Sequence, residues 1–183
     1  MVTSCQQESQ EETQKETKKP NIIYILADDL GYGDVSCNND SSKIHTKNID
    51  ELAHNGIRFT DAHSSSAVST PTRYSLLTGR YNWRTEMKEG VTWSYDEHLI
   101  DTNRLTVASY LKSKGYNTAC IGKWHLGLDW ATDTTGNLLF HKPIKNAPTS
   151  YGFDYFYGIA ASLDIPPYFY IKNNLFIWLL VIV

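Results

Sequence analysis

The sequence predicts an α/β fold built around a mainly parallel sheet. Three observations carry that prediction. Short apolar, β-branched runs alternate with segments of helical apolar spacing, the pattern of strands joined by crossover helices. Of 183 residues, 41% are hydrophobic and 20% charged, which is enough to fold one core of ordinary size. Carboxylates and cations gather just past two of the predicted strands, at the edge where sheets of this class collect ligands.

The elements follow in order. Asn21 to Ala27 (NIIYILA) is an apolar, β-branched run fit for a strand buried on both faces. Asp28 to Asp34 (DDLGYGD) ends it in turn residues and carboxylates. Asn48 to Asn55 carries Ile49, Leu52 and Ala53 at helical spacing, with Asn48 as N-cap and Gly56 as stop. Ile57-Arg58-Phe59 reads as a strand. Pro71 to Thr78 reads as a helix, with proline near its first turn and Gly79 after its end. Arg104 to Lys114 reads as another, with Leu105, Ala108 and Leu111 on one face and Gly115 as stop. Asn117 to Gly122 (NTACIG) is the next strand. There is no internal repeat.

Composition excludes several classes. The net charge is −3, with 17 Lys and Arg against 20 Asp and Glu, so nucleic-acid binding is disfavoured. The three cysteines, Cys5, Cys37 and Cys120, make no disulfide scaffold and no zinc spacing. Aromatics reach 13%, a weak pointer to carbohydrate-facing surfaces. Residues 1–19 form a polar linker that lacks the basic start and apolar run of a signal peptide. Within it, Val2-Thr3-Ser4-Cys5 resembles the lipid-attachment box of bacterial lipoproteins, which would make Cys5 a lipidated anchor in a longer precursor. An ordinary cysteine in a polar tail is the plainer reading. At the other end, 175–183 (LFIWLLVIV) is too short to span a bilayer, which takes about 20 residues. The expectation is that the natural reading frame is lost after about Asn174; the alternative is a true core strand closing a small domain.

Two strand ends carry the candidate chemistry. Adjacent carboxylates Asp28 and Asp29 repel each other unless a cation sits between them, and a hard dication such as Ca²⁺ or Mg²⁺ suits oxygen ligands. Alone, such a pair is more often a turn or a cap. Ser69 lies just before a helix that Pro71 helps to start, where N–H groups and the positive dipole end suit an anion. Arg73 falls one turn later on the same face. A plain capping role for Ser69 is what the physics by itself favours, and Lys123-x-His125 after a strand is by itself usually surface decoration.

Together these segments are specific. Ser69-x-Pro71-Thr72-Arg73, closing with Thr78-Gly79-Arg80, resembles the signature of the type I sulfatase family. Three more segments match in the right order: Pro20 to Asp34 (PNIIYILADDLGYGD), Gly115 to Ala119 (GYNTA) and Gly122 to Gly127 (GKWHLG). The resemblance covers about Lys19 to Asn174, making 20–174 the N-terminal part of a sulfatase catalytic domain. It implies an alkaline-phosphatase-like α/β sandwich, and it resembles arylsulfatase A-like and N-acetylgalactosamine-6-sulfatase-like members.

The resemblance also implies roles. Asp28 and Asp29 match two calcium ligands. Ser69 matches the residue converted to formylglycine (3-oxoalanine), whose hydrated aldehyde is nucleophile and metal ligand. Arg73 matches the residue that steadies it, Lys123 a sulfate-binding cation, and His125 the histidine that hydrogen-bonds the diol. A sulfate ester is an anion, so gathered positive charge suits it. The second hydroxyl of a hydrated aldehyde can eject sulfate, whereas an ordinary serine would be left as a stubborn ester. Serine rather than cysteine at this position resembles bacterial enzymes matured by a serine-type radical-SAM sulfatase-maturing enzyme. The implied substrate is a sulfated carbohydrate. The implied location of the full-length form is the periplasm or the outer membrane as a lipoprotein.

The pattern also breaks. The family draws its remaining calcium ligands, a second histidine and a second lysine from a later half that has no match here. The chain is therefore expected to be truncated and inactive as it stands. Two alternatives stay open: a catalytically inactive product, and a phosphomonoesterase or phosphonate hydrolase of the same fold.

Overall fold

The computed structural model describes residues 18–177. The chain divides into two compact units, Met1–Gly56 and Ile57–Val183. The linker with its candidate anchor Cys5, up to residue 17, lies outside the described residues, as does 178–183 of the apolar tail.

In the first unit, two 3₁₀ turns, Tyr32–Asp34 and Ser36–Asn38, precede helix α1, Lys47–Asn55. The Asp50 carboxylate joins these pieces. It accepts bonds from the Ser36 hydroxyl at 2.6 Å, the Thr46 hydroxyl at 2.8 Å and the Cys37 amide at 2.9 Å. Those donors, the Ser36 hydroxyl foremost, hold its pKa below the usual carboxylate range. Helix α1 starts one residue before the predicted position, with Thr46 rather than Asn48 at the N-cap, and stops at Gly56 as expected.

The apolar run Asn21 to Ala27 departs from expectation. It is irregular and exposed, with Ile23 at 85% of its free surface. The four strands of the sheet all come later in the chain, and this run joins no ladder among the described residues. A continuous apolar run becomes a buried strand only where neighbours take up its backbone groups and cover both faces.

The second unit is an α/β structure with a four-stranded mixed sheet in the order β1-β2-β3-β4: Ala119–Lys123, Tyr155–Ile159, Tyr170–Lys172 and Leu175–Ile177. It opens on a parallel pair, β1 with β2, and continues with two antiparallel pairs. Leu175–Ile177 of the apolar tail thus forms strand β4, and its Phe176 ring meets Phe169 edge-on at 4.1 Å. Ile57-Arg58-Phe59, expected as a strand, is irregular and exposed, again with no ladder.

Helix α2, Ser69–Thr78, begins two residues earlier than predicted, so Ser69 is its first residue. It ends at Gly79, whose left-handed φ of 64° lets its N–H return to the Ser75 carbonyl at 2.8 Å. Helix α3, Val107–Ser113, starts three residues later than predicted, because Thr106 and Ser109 form a reciprocal capping box.

The core sits behind β1 and β2. Trp124, Leu126, Tyr74, Tyr151 and Phe156 are all buried in it. Trp124 stacks on Tyr151 at 5.9 Å, and its indole N–H donates to the Gly127 carbonyl at 3.0 Å. A side chain this large, placed directly between Lys123 and His125, pins the loop after β1 to the core.

Candidate active site

The site of the second unit is built where two parallel strands end. Register pairs Lys123, the last residue of β1, with Ile159, the last of β2. The ladder continues beyond them: the Trp124 amide donates to the Ile159 carbonyl at 3.0 Å and the His125 amide to the Ala160 carbonyl at 2.9 Å. The loops leaving β1 and β2 therefore run side by side. The N-terminus of α2 arrives at the same place.

Lys123 is the centre of the arrangement. Its ammonium donates to Ser69 Oγ at 2.8 Å and to Ser162 Oγ at 3.1 Å. Arg73, one turn along α2 from Ser69, donates from Nη1 to the Lys123 carbonyl at 2.7 Å. Helix α2 thus presents a hydroxyl to the lysine head and a guanidinium to its backbone. The ammonium thus meets the hydroxyl at the first turn of α2 while the guanidinium holds the backbone of the same lysine, and a cation at a helix N-terminus is an arrangement suited to an anion.

Ser162 was not among the residues singled out from sequence. Its hydroxyl also bonds the Asp164 carboxylate and, together with Asp164's own backbone amide and the charge of Lys123, holds that carboxylate below the usual range. A chain Ser69–Lys123–Ser162–Asp164 results. The signal that would have found Ser162 is positional: it stands three residues past β2, beside the end of β1.

His125 is buried at 3% exposure and adopts a left-handed φ of 58°. Its Nε2 lies 2.8 Å from the Thr92 carbonyl. Its own carbonyl accepts a 2.8 Å bond from the Thr70 hydroxyl. Thr70 and Thr92 were likewise not singled out from sequence. Cys120, on β1 beneath the site, has its thiol pushed up to about 11 by burial, against a smaller opposing pull from Arg73. Neither Cys37 nor Cys120 is in a disulfide.

Asp28 and Asp29 belong to the first unit. Both are exposed in the bend after the apolar run, and Asp29 has a φ of 56°. Among the described residues no three His, Cys, Asp or Glu side chains group as a metal site. Two carboxylates supply only part of the six to eight oxygens that calcium takes. Among the described residues, Asp28 and Asp29 do not by themselves complete such a shell.

Comparisons with known proteins give the family of the chain. The sulfatase family model matches residues 20–174. The chain is 44% identical over 174 residues to N-acetylgalactosamine-6-O-sulfatase of Bacteroides thetaiotaomicron, covering 95% of this chain and 33% of that protein. It is 40% identical to human steryl-sulfatase, over 78% of this chain and 24% of that one. A solved structure from work on glycosaminoglycan metabolism by Bacteroides thetaiotaomicron superposes with a TM-score of 0.78 at 45% identity, over 87% of this chain and 32% of the other. A second, Ps i-CgsB solved in complex with k-i-k-neocarrahexaose, gives a TM-score of 0.64 at 34% identity, over 79% of this chain and 29% of the other. The chain belongs to the sulfatase family and has its alkaline-phosphatase-like α/β fold. It spans about a third of the length of the first of these relatives.

Proposed function

We propose that this chain carries the nucleophile and sulfate-binding part of a sulfuric ester hydrolase acting on a sulfated carbohydrate. The observation that carries the reading is the Lys123 ammonium 2.8 Å from Ser69 Oγ, at the first residue of α2. In this reading Ser69 is the residue converted to formylglycine by a serine-type radical-SAM maturase. The converted residue supplies an oxygen nucleophile that can later release sulfate without hydrolysis of a serine ester. Lys123 holds a sulfate oxygen and lowers the charge cost of bringing an anion to residue 69. Arg73 fixes the Lys123 backbone and adds positive charge, and His125 handles a proton. Asp28 and Asp29 are the residues of this chain that would contribute to calcium binding, and no step is derived through the metal.

A carbohydrate substrate is supported by the relative named as an N-acetylgalactosamine-6-O-sulfatase and by the neighbour solved in complex with k-i-k-neocarrahexaose. Anchoring through Cys5 in the bacterial envelope belongs to the same reading.

The test is production of the chain with and without a serine-type maturase. Loss of two hydrogens from the peptide holding Ser69, with turnover of 4-nitrocatechol sulfate, supports the reading. Modification without turnover favours the catalytically inactive alternative. Turnover of a phosphate monoester by the unmodified chain favours the phosphatase alternative.

A further inference from the structure

Helix α2 grips the loop after β1 at two alternate carbonyls. Arg73 takes the Lys123 carbonyl and Thr70, three residues earlier on α2, takes the His125 carbonyl. Residues three apart share a helix face, so the two grips act together. Thr70 does more than this. It is fully buried, and its single hydroxyl also receives the Thr92 amide at 3.1 Å and lies 3.3 Å from the Thr92 hydroxyl. One buried oxygen therefore ties residue 92 and residue 125 to the helix that begins at Ser69. The third side of this triangle is the bond between His125 Nε2 and the Thr92 carbonyl.

That bond has a chemical consequence. A carbonyl oxygen only accepts, so Nε2 must be the nitrogen that carries hydrogen. In neutral His125, Nδ1 is then the basic nitrogen, and a proton taken up by the ring goes there. Thr92 contributes its backbone and not its side chain, so the bond lasts only while the Thr92 backbone is held in place. Thr70 holds it.

We propose that Thr70 is a positioning residue that fixes the tautomer of His125: by clamping the Thr92 amide and the His125 carbonyl, it keeps the Thr92 carbonyl on Nε2 and reserves Nδ1 for proton exchange. The catalytic consequence rests on the sulfatase reading; the tautomer does not.

The experiment is long-range ¹H–¹⁵N correlation of the histidine rings in the full chain, with His125 assigned through H125Q. The wild type and T70S, which keeps the hydroxyl, are expected to show His125 as a single neutral tautomer protonated at Nε2. T70V, of nearly the same shape but without donor or acceptor, is expected to show a mixture of the two tautomers. With 4-nitrocatechol sulfate and the maturase-treated chain, T70V should lose about tenfold in kcat with KM little changed, and T70S should restore it. A wild-type ring protonated at Nδ1 overturns the proposal whether or not any variant folds. So does a folded T70V that keeps a single Nε2-protonated tautomer. The expected tautomers without turnover in any sample would favour the catalytically inactive alternative and leave the positioning role standing; turnover with unchanged tautomers does the reverse.

Discussion

The Lys123 ammonium and the Ser69 hydroxyl lie 2.8 Å apart although 54 residues separate them in the chain. The contact exists because β1 ends at Lys123 and α2 begins at Ser69 on the same side of the second unit. A cation so placed is available to a negatively charged group at residue 69 without reorganisation, the condition under which electrostatic stabilisation is largest. Replacing Lys123 with Met keeps the stem and removes the charge. In the maturase-treated chain, K123M should lower kcat/KM for 4-nitrocatechol sulfate by about 10²–10³-fold. Mass analysis of the Ser69 peptide serves as control. Unchanged turnover in a fully modified K123M chain would remove Lys123 from the site.

The parallel pairing that aligns the two loops depends on a glycine. Gly158 faces Gly122 across β1 and β2, and a Cβ added at 158 would sit 1.7 Å from the Gly122 carbonyl oxygen. Backbone on both sides leaves nothing flexible to move, so β2 must separate from β1. G158A should therefore cost on the order of 3 kcal/mol or more, the range of severe core disruptions. Urea unfolding followed by tryptophan fluorescence measures it. Because Ser162 follows β2, the Lys123–Ser162 bond should be lost with it. G79A is a useful contrast: it is strained by its left-handed φ but has open space, so its cost should be near 1 kcal/mol.

These two cases show what the amino-acid order reveals and what it hides. Ser69, Arg73, Lys123 and His125 could be singled out because each stands beside a local signal, a helix start or a strand end. Ser162 could not, since its place beside Lys123 comes from a register between strands 39 residues apart in sequence at the contact. Thr92 acts through a carbonyl that every residue possesses, so its identity gives no signal. Helix α3 is shorter than its apolar spacing predicts because its capping box uses Ser109 where Glu or Gln is the usual partner. The run Asn21 to Ala27 has every local property of a strand, yet strand formation belongs to the pair and not to the segment.

Asp154 gives the second unit a dependence on acid. Its carboxylate bonds Lys112 at 2.7 Å and accepts from the Thr118 amide at 2.9 Å, joining α3 and the entry to β1 to the entry to β2. The Lys112 bond foremost, then those from Thr118, lower its pKa from 3.8 to about 2. A depressed carboxylate stabilises the fold above its unfolded pKa, and the contribution disappears as pH falls through the folded one. Stability should therefore drop between pH 4 and pH 2. D154N should flatten that part of the profile, with a modest loss at neutral pH because the group is exposed. Urea midpoints across this pH range decide; a D154N profile parallel to the wild type would assign the acid sensitivity elsewhere.

Cys120 predicts the opposite behaviour at the alkaline end. Burial on β1 raises its pKa from 9.0 to about 11, and the nearby Arg73 charge offsets only part of that. A thiol harder to ionise when folded stabilises the native state below the unfolded pKa, because unfolding then gains no ionisation. Above pH 9 the unfolded chain loses this proton first, so the Cys120 contribution to stability should decline from about pH 9 to pH 11 and level off beyond. The same shift leaves very little thiolate at pH 8, so Cys120 should react with iodoacetamide far more slowly in the folded chain than in urea. Replacement by Ala removes the ionisation and should remove the Cys120 share of the alkaline decline, leaving that of the buried Tyr151, whose pKa burial also raises, while costing some packing at all pH values. Fast alkylation of the folded chain at Cys120, identified by peptide mass, would show that β1 opens and that the strand carrying Lys123 is not held as firmly as its contacts require.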